Sequence, residues 1–385
     1  MKLRIGVFFG SRSVEHEISV ITAQQVMKVL EEKYDVIPIY ISKEGKFYSG
    51  KLLKNLENFK NIPKLLDKCI NLNFSLDSSR NFIYRNSFNI FRRTILERID
   101  IAFPILHGTF GEDGTIQGVF EMMNIPYIGS NVLSSSITMD KIFTKFTLKA
   151  NNFDVLPFHH FYSKEFFNNK EKIMNEIEEK LTHPLIVKPS NLGSSIGIEI
   201  AKTKKELELA IESASFLSQK IIVEKFLDNI TELNISVIGD YEKQECSSIE
   251  RLISNSKILS YNEKYKNNEG FATAERELPA RIDKELEKTI HQQAKELFKI
   301  FNCSGLIRID FMFDNNEQKL YINEINPIPG SLAFYLWENS NLSFAKLLDK
   351  LIEISFKRKR EQEKITSSFK SNILNLGNGI KGIKK

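Results

Sequence analysis

The sequence predicts an α/β protein whose first domain is an open parallel α/β unit and whose later part is a mixed α+β region. Three observations carry that expectation. The N-terminus reads as strand, Gly/Ser turn, helix and second strand, which is how an α/β domain begins. At 385 residues the chain exceeds one typical core, so two or three domains are expected. Near the C-terminus, Gly305 to Ser331 (GLIRIDFMFDNNEQKLYINEINPIPGS) reads as a hairpin, because branched and aromatic runs flank the turn-forming DNNEQ.

In order, KLRIGVFFG is a buried-type strand, GSRSVEHEISVITAQQVMKVLEEKY becomes a helix with apolar residues at helical spacing, and DVIPIYIS is a strand. The glycines do not form G-x-G-x-x-G, so a dinucleotide fingerprint is weak. Glu15 stands at the carboxyl end of the first strand, where open sheets place ligand groups. A first-turn helix carboxylate looks the same, and the local residues favour that second reading. Gly45 to Arg98 is less regular and reads as an elaboration of the first domain. IDIAFPIL is a strand, and HGTFGEDGTIQG after it carries four glycines, which permit close backbone approach before a helix N-terminus. His107 is read evenly as a ligand contact or a structural hydrogen-bonding residue.

From Ser134, SSSITMDKIFTKFTLKANN reads as a capped helix that leaves the first domain. After LPFHHFYS and a further helix comes PLIVKPSNLGSSIGIEI: a strand with Lys188, a Ser/Gly loop over 190–197, and another strand. A lysine beside such a loop suits nucleotide phosphates, cradled by backbone N–H groups and a point charge. It is not a Walker A motif. KIIVEKFL follows a helix, and Glu224 to Leu227 read as a linker where backbone groups hold an adenine. ELNISVIGD and the segment around QECSSIERLI are further strands. SYNEKYKNNEGFATAERELPA is long and polar enough to be a lid, and RIDKELEKTIHQQAKELFKIFN is an amphipathic helix.

In the hairpin, side chains two apart share a face, so Arg308 and Asp310 project together, as do Glu324 and Asn326. Ile307, Ile309, Phe311, Ile322 and Ile325 are left for a core. Two carboxylates, an amide and a guanidinium suit a hard cation holding phosphate oxygens. A plain solvated sheet face would read similarly, and the hairpin alone slightly favours it.

Composition fits a globular protein, with 42% hydrophobic and 27% charged residues. No apolar run reaches membrane-spanning length and the N-terminus does not read as a secretory signal, so a cytoplasmic protein is expected. Cys69, Cys246 and Cys303 are odd in number and widely spaced, against a disulfide framework or zinc site. Of the net charge of +5, residues 357–385 hold nine Lys and Arg against two Glu. The body is therefore slightly acidic, and the basic end reads as a solvated, flexible tail rather than a nucleic-acid site.

PLIVKPSNLGSSIGI, VEKFL, EKY, GLIRIDFMF and INEINPIPGS, in this order, resemble the ATP-grasp fold. With HGTFGEDGTIQG and MDK ahead of them they resemble the D-alanine:D-alanine ligase family, over residues 1–355. That resemblance implies a substrate-binding α/β domain over 1–133 with an insert at 45–95, and a central ATP-grasp lid domain over 134–230. It further implies a catalytic domain over 231–356 with a lid loop at 261–280, ahead of the tail. It implies ATP as co-substrate, two Mg²⁺ ions with Mn²⁺ as a substitute, a homodimer, no membrane or nucleic-acid partner, and D-alanyl-D-alanine made for peptidoglycan. Lys141 and Lys188 match the lysines on the α- and β-phosphates, with Ser195 in the phosphate loop. Glu224, Lys225, Phe226 and Leu227 match the adenine linker, and Glu232 the ribose carboxylate. Asp310, Glu324 and Asn326 match the magnesium ligands. Glu15 matches the carboxylate that orients the first D-alanine's ammonium, with His107 close by and Ser194 and Tyr265 linked to it. Lys264 matches a lysine that reaches the transferring phosphate, and Arg308 and the Gly330 N–H match the oxyanion-stabilising pair. One departure stands out. The family's stretch rich in Thr, Ser and His after Pro-Gly is here Ser331 followed by LAFYLW, which leaves Ser331 and Tyr335 as candidate carboxylate anchors and D-serine or D-lactate open as second substrate.

Overall fold

The computed structural model describes residues 2–74, 82–85, 95–253 and 275–366. Its strands fall into three sheets. The N-terminal part runs β1 (Arg4–Gly10), α1 (His16–Leu30), β2 (Asp35–Ile41), β3 (Phe47–Ser49), α2 (Ile62–Leu66), β4 (Ile70–Phe74), β5 (Phe82–Arg85), β6 (Ile95–Arg98) and β7 (Ile101–Ile105). These strands form one sheet in the order β6-β5-β4-β3-β2-β1-β7. β1 lies parallel to β2 and β7, whereas β3 to β6 add antiparallel hairpins. The parallel portion is thus limited to three strands, and the stretch that looked irregular over 45–98 extends the sheet on one edge. Its strands are short and lack strong alternation, which is why pattern alone does not reveal them.

α3 (Thr115–Met122), α4 (Val132–Met139) and α5 (Lys141–Ala150) lead onward. The single helix expected over 134–152 is broken at Asp140, whose carboxylate caps α5 by accepting from the Ile142 and Phe143 N–H groups. The second sheet, in the order β10-β9-β11-β8, contains β8 (Phe158–Tyr162), β9 (Leu185–Pro189), β10 (Glu199–Ala201) and β11 (Lys220–Lys225). α6 (Ser163–Asn168), α7 (Lys170–Lys180) and α8 (Lys204–Ser215) supply the apolar side chains that meet its inner face, including Ile177, Leu207 and Ile211.

The third sheet holds β12 (Ile230–Gly239), β13 (Gln244–Cys246), β14 (Glu250–Ile253), β15 (Glu275–Glu277), β16 (Gly305–Asp314) and β17 (Lys319–Asn326). Its order is β15-β14-β12-β16-β17, with β13 paired to β12. α9 (Lys284–Ile300) packs Ile290, Ala294, Leu297 and Phe298 against Ile307, Ile309 and Phe311. After Gly330 come α10 (Phe334–Asn339) and α11 (Phe344–Gln362). Leu347, Leu348, Leu351 and Ile352 of α11 join Val20, Ala23 and Val26 of α1 in one core, so the C-terminal helix closes the N-terminal domain.

Two expectations change here. Lys357 to Arg360, read as flexible tail, lie in α11, where Lys357 pairs with Asp240 at 2.7 Å and Arg358 donates to the Gly129 and Tyr127 carbonyls. The end of the lid-like stretch is strand β15, paired with β14; residues 254–274 lie outside the described residues.

Candidate active site

One cleft of about 530 Å³ is lined by α1 and the loop after β7, by β9 and β11 of the second sheet, and by strands of the third sheet. Every sequence-predicted site residue among those described lines it. Lys264 and Tyr265 lie outside the described residues.

One side of the cleft is built on β9, β11 and α5. Lys188 on β9 faces its cross-strand neighbourhood on β11, and its Nζ is 3.0 Å from Glu224 Oε2. Lys145, one turn into α5, lies 3.3 Å from Glu224 Oε1. Burial alone would raise the Glu224 carboxyl, but Lys145 and Lys188 together hold it down at about 2. Glu224 and Lys225 therefore belong to strand β11 and not to a linker, and the Glu224 side chain is a buried counter-ion rather than an open ligand group. Sequence reading missed Lys145 because at i+4 from Lys141 it looks like an ordinary helix-surface lysine. Lys141 Nζ donates to the Leu192 carbonyl at 2.6 Å, inside the Ser/Gly loop. Burial, the largest influence, lowers its proton affinity. Ser194 and Ser195 both have positive φ, 55° and 58°, a costly conformation for serine that an exposed loop without a task does not need.

The hairpin places its polar groups in one row. Arg308 lies opposite Asn326 and Asp310 opposite Glu324, and Asn234 on β12 lies between Asp310 and Glu250 of β14. Arg308 closes a two-pronged fork on Asp310, Nε to Oδ1 at 2.6 Å and Nη2 to Oδ2 at 2.7 Å, while Asn326 Nδ2 donates to Asp310 Oδ2 at 3.0 Å. A β-bulge between Asp310 and Phe311 opposes Phe311 to Ile322, so Ile322 and Ile325 both reach the core although strict alternation would separate them. Burial, with Glu324 and Glu250 near, raises the Asp310 proton affinity against the pull of Arg308.

That donor set fits Mg²⁺. Asp310 and Glu324 are neighbouring carboxylates that repel until a cation sits between them, and Asn326 adds a hard oxygen. Among the described residues no group of three or more His, Cys, Asp or Glu could hold a metal ion by itself.

Glu15 is buried, and the Ser194 hydroxyl donates to its Oε1 across 179 positions of sequence. Its side chain does not cap α1. The first-turn reading therefore gives way to a cleft carboxylate, pressed by two glycines: a Cβ at Gly108 or Gly193 would come within 2.6 or 2.9 Å of Glu15 Oε2. His107 resolves toward structure. Its Nδ1–H donates to the Ile328 carbonyl at 2.8 Å and its Nε2 accepts from the Thr22 hydroxyl at 3.1 Å. Burial pushes it down to about 4, so the ring is neutral. Thr22 Oγ1 in turn accepts from the Ser331 N–H at 3.3 Å. Glu112 completes this scaffold by accepting from the N–H groups of Gly108 at 2.6 Å and Ile328 at 3.1 Å. Burial first, and then nearby Glu15, pushes its carboxyl up. Thr22 and Glu112 escaped sequence reading; the only signal for Glu112 was its place among the glycines of GEDG.

Beyond Gly330, Ser331, Leu332 and Ala333 all have positive φ, and Ser331 is buried in the cleft wall. Tyr335 on α10 donates its hydroxyl to Glu250 Oε1 at 2.8 Å, and Asn234 Nδ2 reaches the same oxygen at 3.0 Å. Of the two candidate anchors, the Tyr335 hydroxyl is thus already committed.

Comparison with known proteins agrees with this geometry. The family described as D-ala D-ala ligase N-terminus matches residues 4–130, and that described as D-ala D-ala ligase C-terminus matches residues 147–353. A D-alanine–D-alanine ligase of Thermosipho melanesiensis is 40% identical over 376 residues, 97% of this chain and 99% of the relative. One from Thermosipho africanus is 41% identical with the same coverage. Among solved structures, the D-alanine-D-alanine ligase of Coxiella burnetii superposes with a TM-score of 0.78 at 28% identity, covering 94% of this chain and 96% of that one. The VanG D-Ala:D-Ser ligase of Enterococcus faecalis does so with 0.77 at 30% identity, covering 92% and 100%.

Proposed function

This chain belongs to the D-alanine–D-alanine ligase family of ATP-grasp enzymes, and we propose from that premise that its cleft joins two D-alanines through an acyl phosphate. The activity is the ATP-dependent formation of D-alanyl-D-alanine for cell-wall synthesis. The observation that carries the residue roles is the meeting, across one cleft, of the Arg308–Asp310–Asn326 row with the buried Lys145–Glu224–Lys188 group.

Lys141 and Lys188 hold the α- and β-phosphates, with Ser195 in the loop beneath them and Lys264 reaching the transferring phosphate. Phe226 and Leu227, with the backbone at Glu224 and Lys225, hold the adenine, and Glu232 takes the ribose. Asp310, Glu324 and Asn326 would hold two Mg²⁺ ions, or Mn²⁺ in their place, which when bound neutralise phosphate charge. Glu15, kept in place by Ser194 and Tyr265, orients the ammonium of the first D-alanine. One oxygen of that substrate's carboxylate displaces ADP from the γ-phosphorus in line, giving an acyl phosphate. The amine of the second D-alanine attacks the acyl carbon and loses a proton, and the phosphate leaves with the transferred oxygen. Arg308 and the Gly330 N–H stabilise the tetrahedral oxyanion, each donor supplying about 2.7–4 kcal/mol. His107, Thr22 and Glu112 position that N–H by tying the loop before it to β7 and α1.

A cytoplasmic site follows from the substrates, and among the described residues no helix is long and apolar enough to cross a membrane. A homodimer is supported by exposed Val119 and Met122 on α3 beside Val132 and Leu133 on α4. The deciding experiment supplies ATP, Mg²⁺ and D-alanine, alone or with D-serine or D-lactate, and identifies the product by mass. D-Alanyl-D-alanine with matching ADP release is expected; a predominant mixed product would transfer the acceptor assignment to D-serine or D-lactate, and no D-alanine-dependent ADP would reject the reading.

A further inference from the structure

Lys141 and the Ser/Gly loop over 190–197 belong to different elements, yet a phosphate group held by both needs them in one place. Backbone bonds join them: the Lys141 N–H donates to the Ser190 carbonyl at 2.9 Å, and the Ser190 N–H donates to the Lys220 carbonyl at 2.9 Å. A second chain of contacts runs beside these through side chains. Asp140 Oδ1 accepts from the Ser190 hydroxyl at 2.7 Å, as well as from the N–H groups that begin α5, and Asp140 Oδ2 pairs with the Lys220 ammonium. One carboxylate thus ties together the start of α5, the start of the loop and the start of β11.

Asp140, Ser190 and Lys220 stand outside the lining of the cleft, whereas Lys141, Lys188 and the loop from Leu192 to Ser195 are part of it. Burial alone would raise the Asp140 carboxyl, but Lys220 and then Ser190 bring it below its usual range, so the pair is charged. A sheltered ion pair is weak evidence for stability, and its best-attested use is to fix one arrangement of two elements. The loop has need of such a fixture. It follows no strand ladder between β9 and β10, and Ser194, Ser195 and Gly197 all stand at positive φ. Two residues past Ser190, the Leu192 carbonyl accepts from the Lys141 ammonium at 2.6 Å, so the lysine grips the same loop that the carboxylate anchors.

We propose that Asp140, Ser190 and Lys220 form a clasp that positions Lys141 and the Ser/Gly loop as one unit for the nucleotide phosphates. The three are positioning residues, acting on phosphate through Lys141 and the loop. When nucleotide binds, the Lys141 ammonium moves from the Leu192 carbonyl to a phosphate oxygen, and the loop is already in place. This assignment rests on the ATP reading above and extends it to residues outside the cleft.

Calorimetric titration with ATP in the absence of D-alanine, and with adenosine by competition, tests the clasp, alongside the melting temperature of the ligand-free protein. Lys220→Met keeps the stem and removes the ammonium; it should weaken ATP binding roughly tenfold, the loss expected for a charge-assisted bond. Adenosine, which lacks phosphates, should lose less than about threefold. Lys220→Arg restores the charge and should bind ATP within about threefold of the unaltered protein. Asp140→Asn keeps the acceptor for the helix N–H groups and removes the charge; it decides the matter if Lys220→Met does not fold. Unchanged ATP affinity in a folded Lys220→Met would overturn the proposal, whatever its melting temperature, and leave the pair a purely structural contact. An equal loss for ATP and adenosine, or no recovery in Lys220→Arg, would overturn it as well. Unaltered protein that fails to bind ATP would instead reject the nucleotide reading on which the clasp rests.

Discussion

Arg308→Ala separates chemistry from binding. Two of the guanidinium's nitrogens are fixed on Asp310 at 2.6 and 2.7 Å, which leaves Nη1 to face a developing oxyanion. Removing that donor should cost about 2.7–4 kcal/mol in the transition state, a hundredfold to thousandfold in turnover. The same substitution leaves the buried Asp310 beside Glu324 and Glu250 without its cation. Breaking a buried pair costs roughly 3–5 kcal/mol of stability, so the melting temperature should fall as well. The residues proposed to contact the nucleotide lie on other elements, so ATP binding measured by calorimetry should stay close to that of the unaltered protein. Arg308→Lys keeps a charge near Asp310 while losing the fork; it should recover much of the stability and little of the rate. Dipeptide formation is followed by coupled ADP release with product confirmation. Near-normal turnover by folded Arg308→Ala would refute the oxyanion role.

Glu324→Gln removes one of the two facing carboxylates and should abolish turnover in a folded protein; surviving Mg²⁺-dependent activity would reject the metal assignment. Thr22→Val keeps shape but strips a donor from His107 Nε2 and an acceptor from the Ser331 N–H, at a cost of about 2 kcal/mol or more in urea unfolding. Its kcat should drop while the KM for ATP holds; an unchanged kcat would free the Gly330 loop from this scaffold. For pH dependence, His107 titrates near 4 when folded and near 6.5 when unfolded. Between those values the unfolded chain holds the extra proton, so stability falls as pH falls, by about 2 kcal/mol from pH 7 to 5. His107→Gln should lose less over that interval, and an equal loss would place the dependence elsewhere.

How far the sequence spoke depended on whether a group's partners were local. The hairpin was legible because Arg308 and Asp310, like Glu324 and Asn326, are two apart, and strand period alone puts each pair on one face. The bulge that brings Ile322 and Ile325 to the same core breaks that period and had no local mark. The local residues around Glu15 read as a helix end, and only the family resemblance points to Ser194, because that partner lies in a different sheet's loop. Glu224 looked like part of a linker, since nothing in KIIVEKFL reveals two lysines converging on it from α5 and β9. The 45–98 region was opaque for another reason: its strands are short and take their partners from antiparallel neighbours in the sheet, which no local period marks. The C-terminal helix likewise packs on α1, more than 300 positions away, and no local pattern announces that contact.

The account turns on a carboxylate oxygen passing to phosphate before the peptide bond forms. Purified protein given ATP, Mg²⁺ and D-alanine labelled with ¹⁸O in its carboxyl group tests this most directly, read by mass spectrometry of the released phosphate. One labelled oxygen per phosphate, matched to dipeptide formed, is the predicted result. Unlabelled phosphate accompanying dipeptide would contradict it.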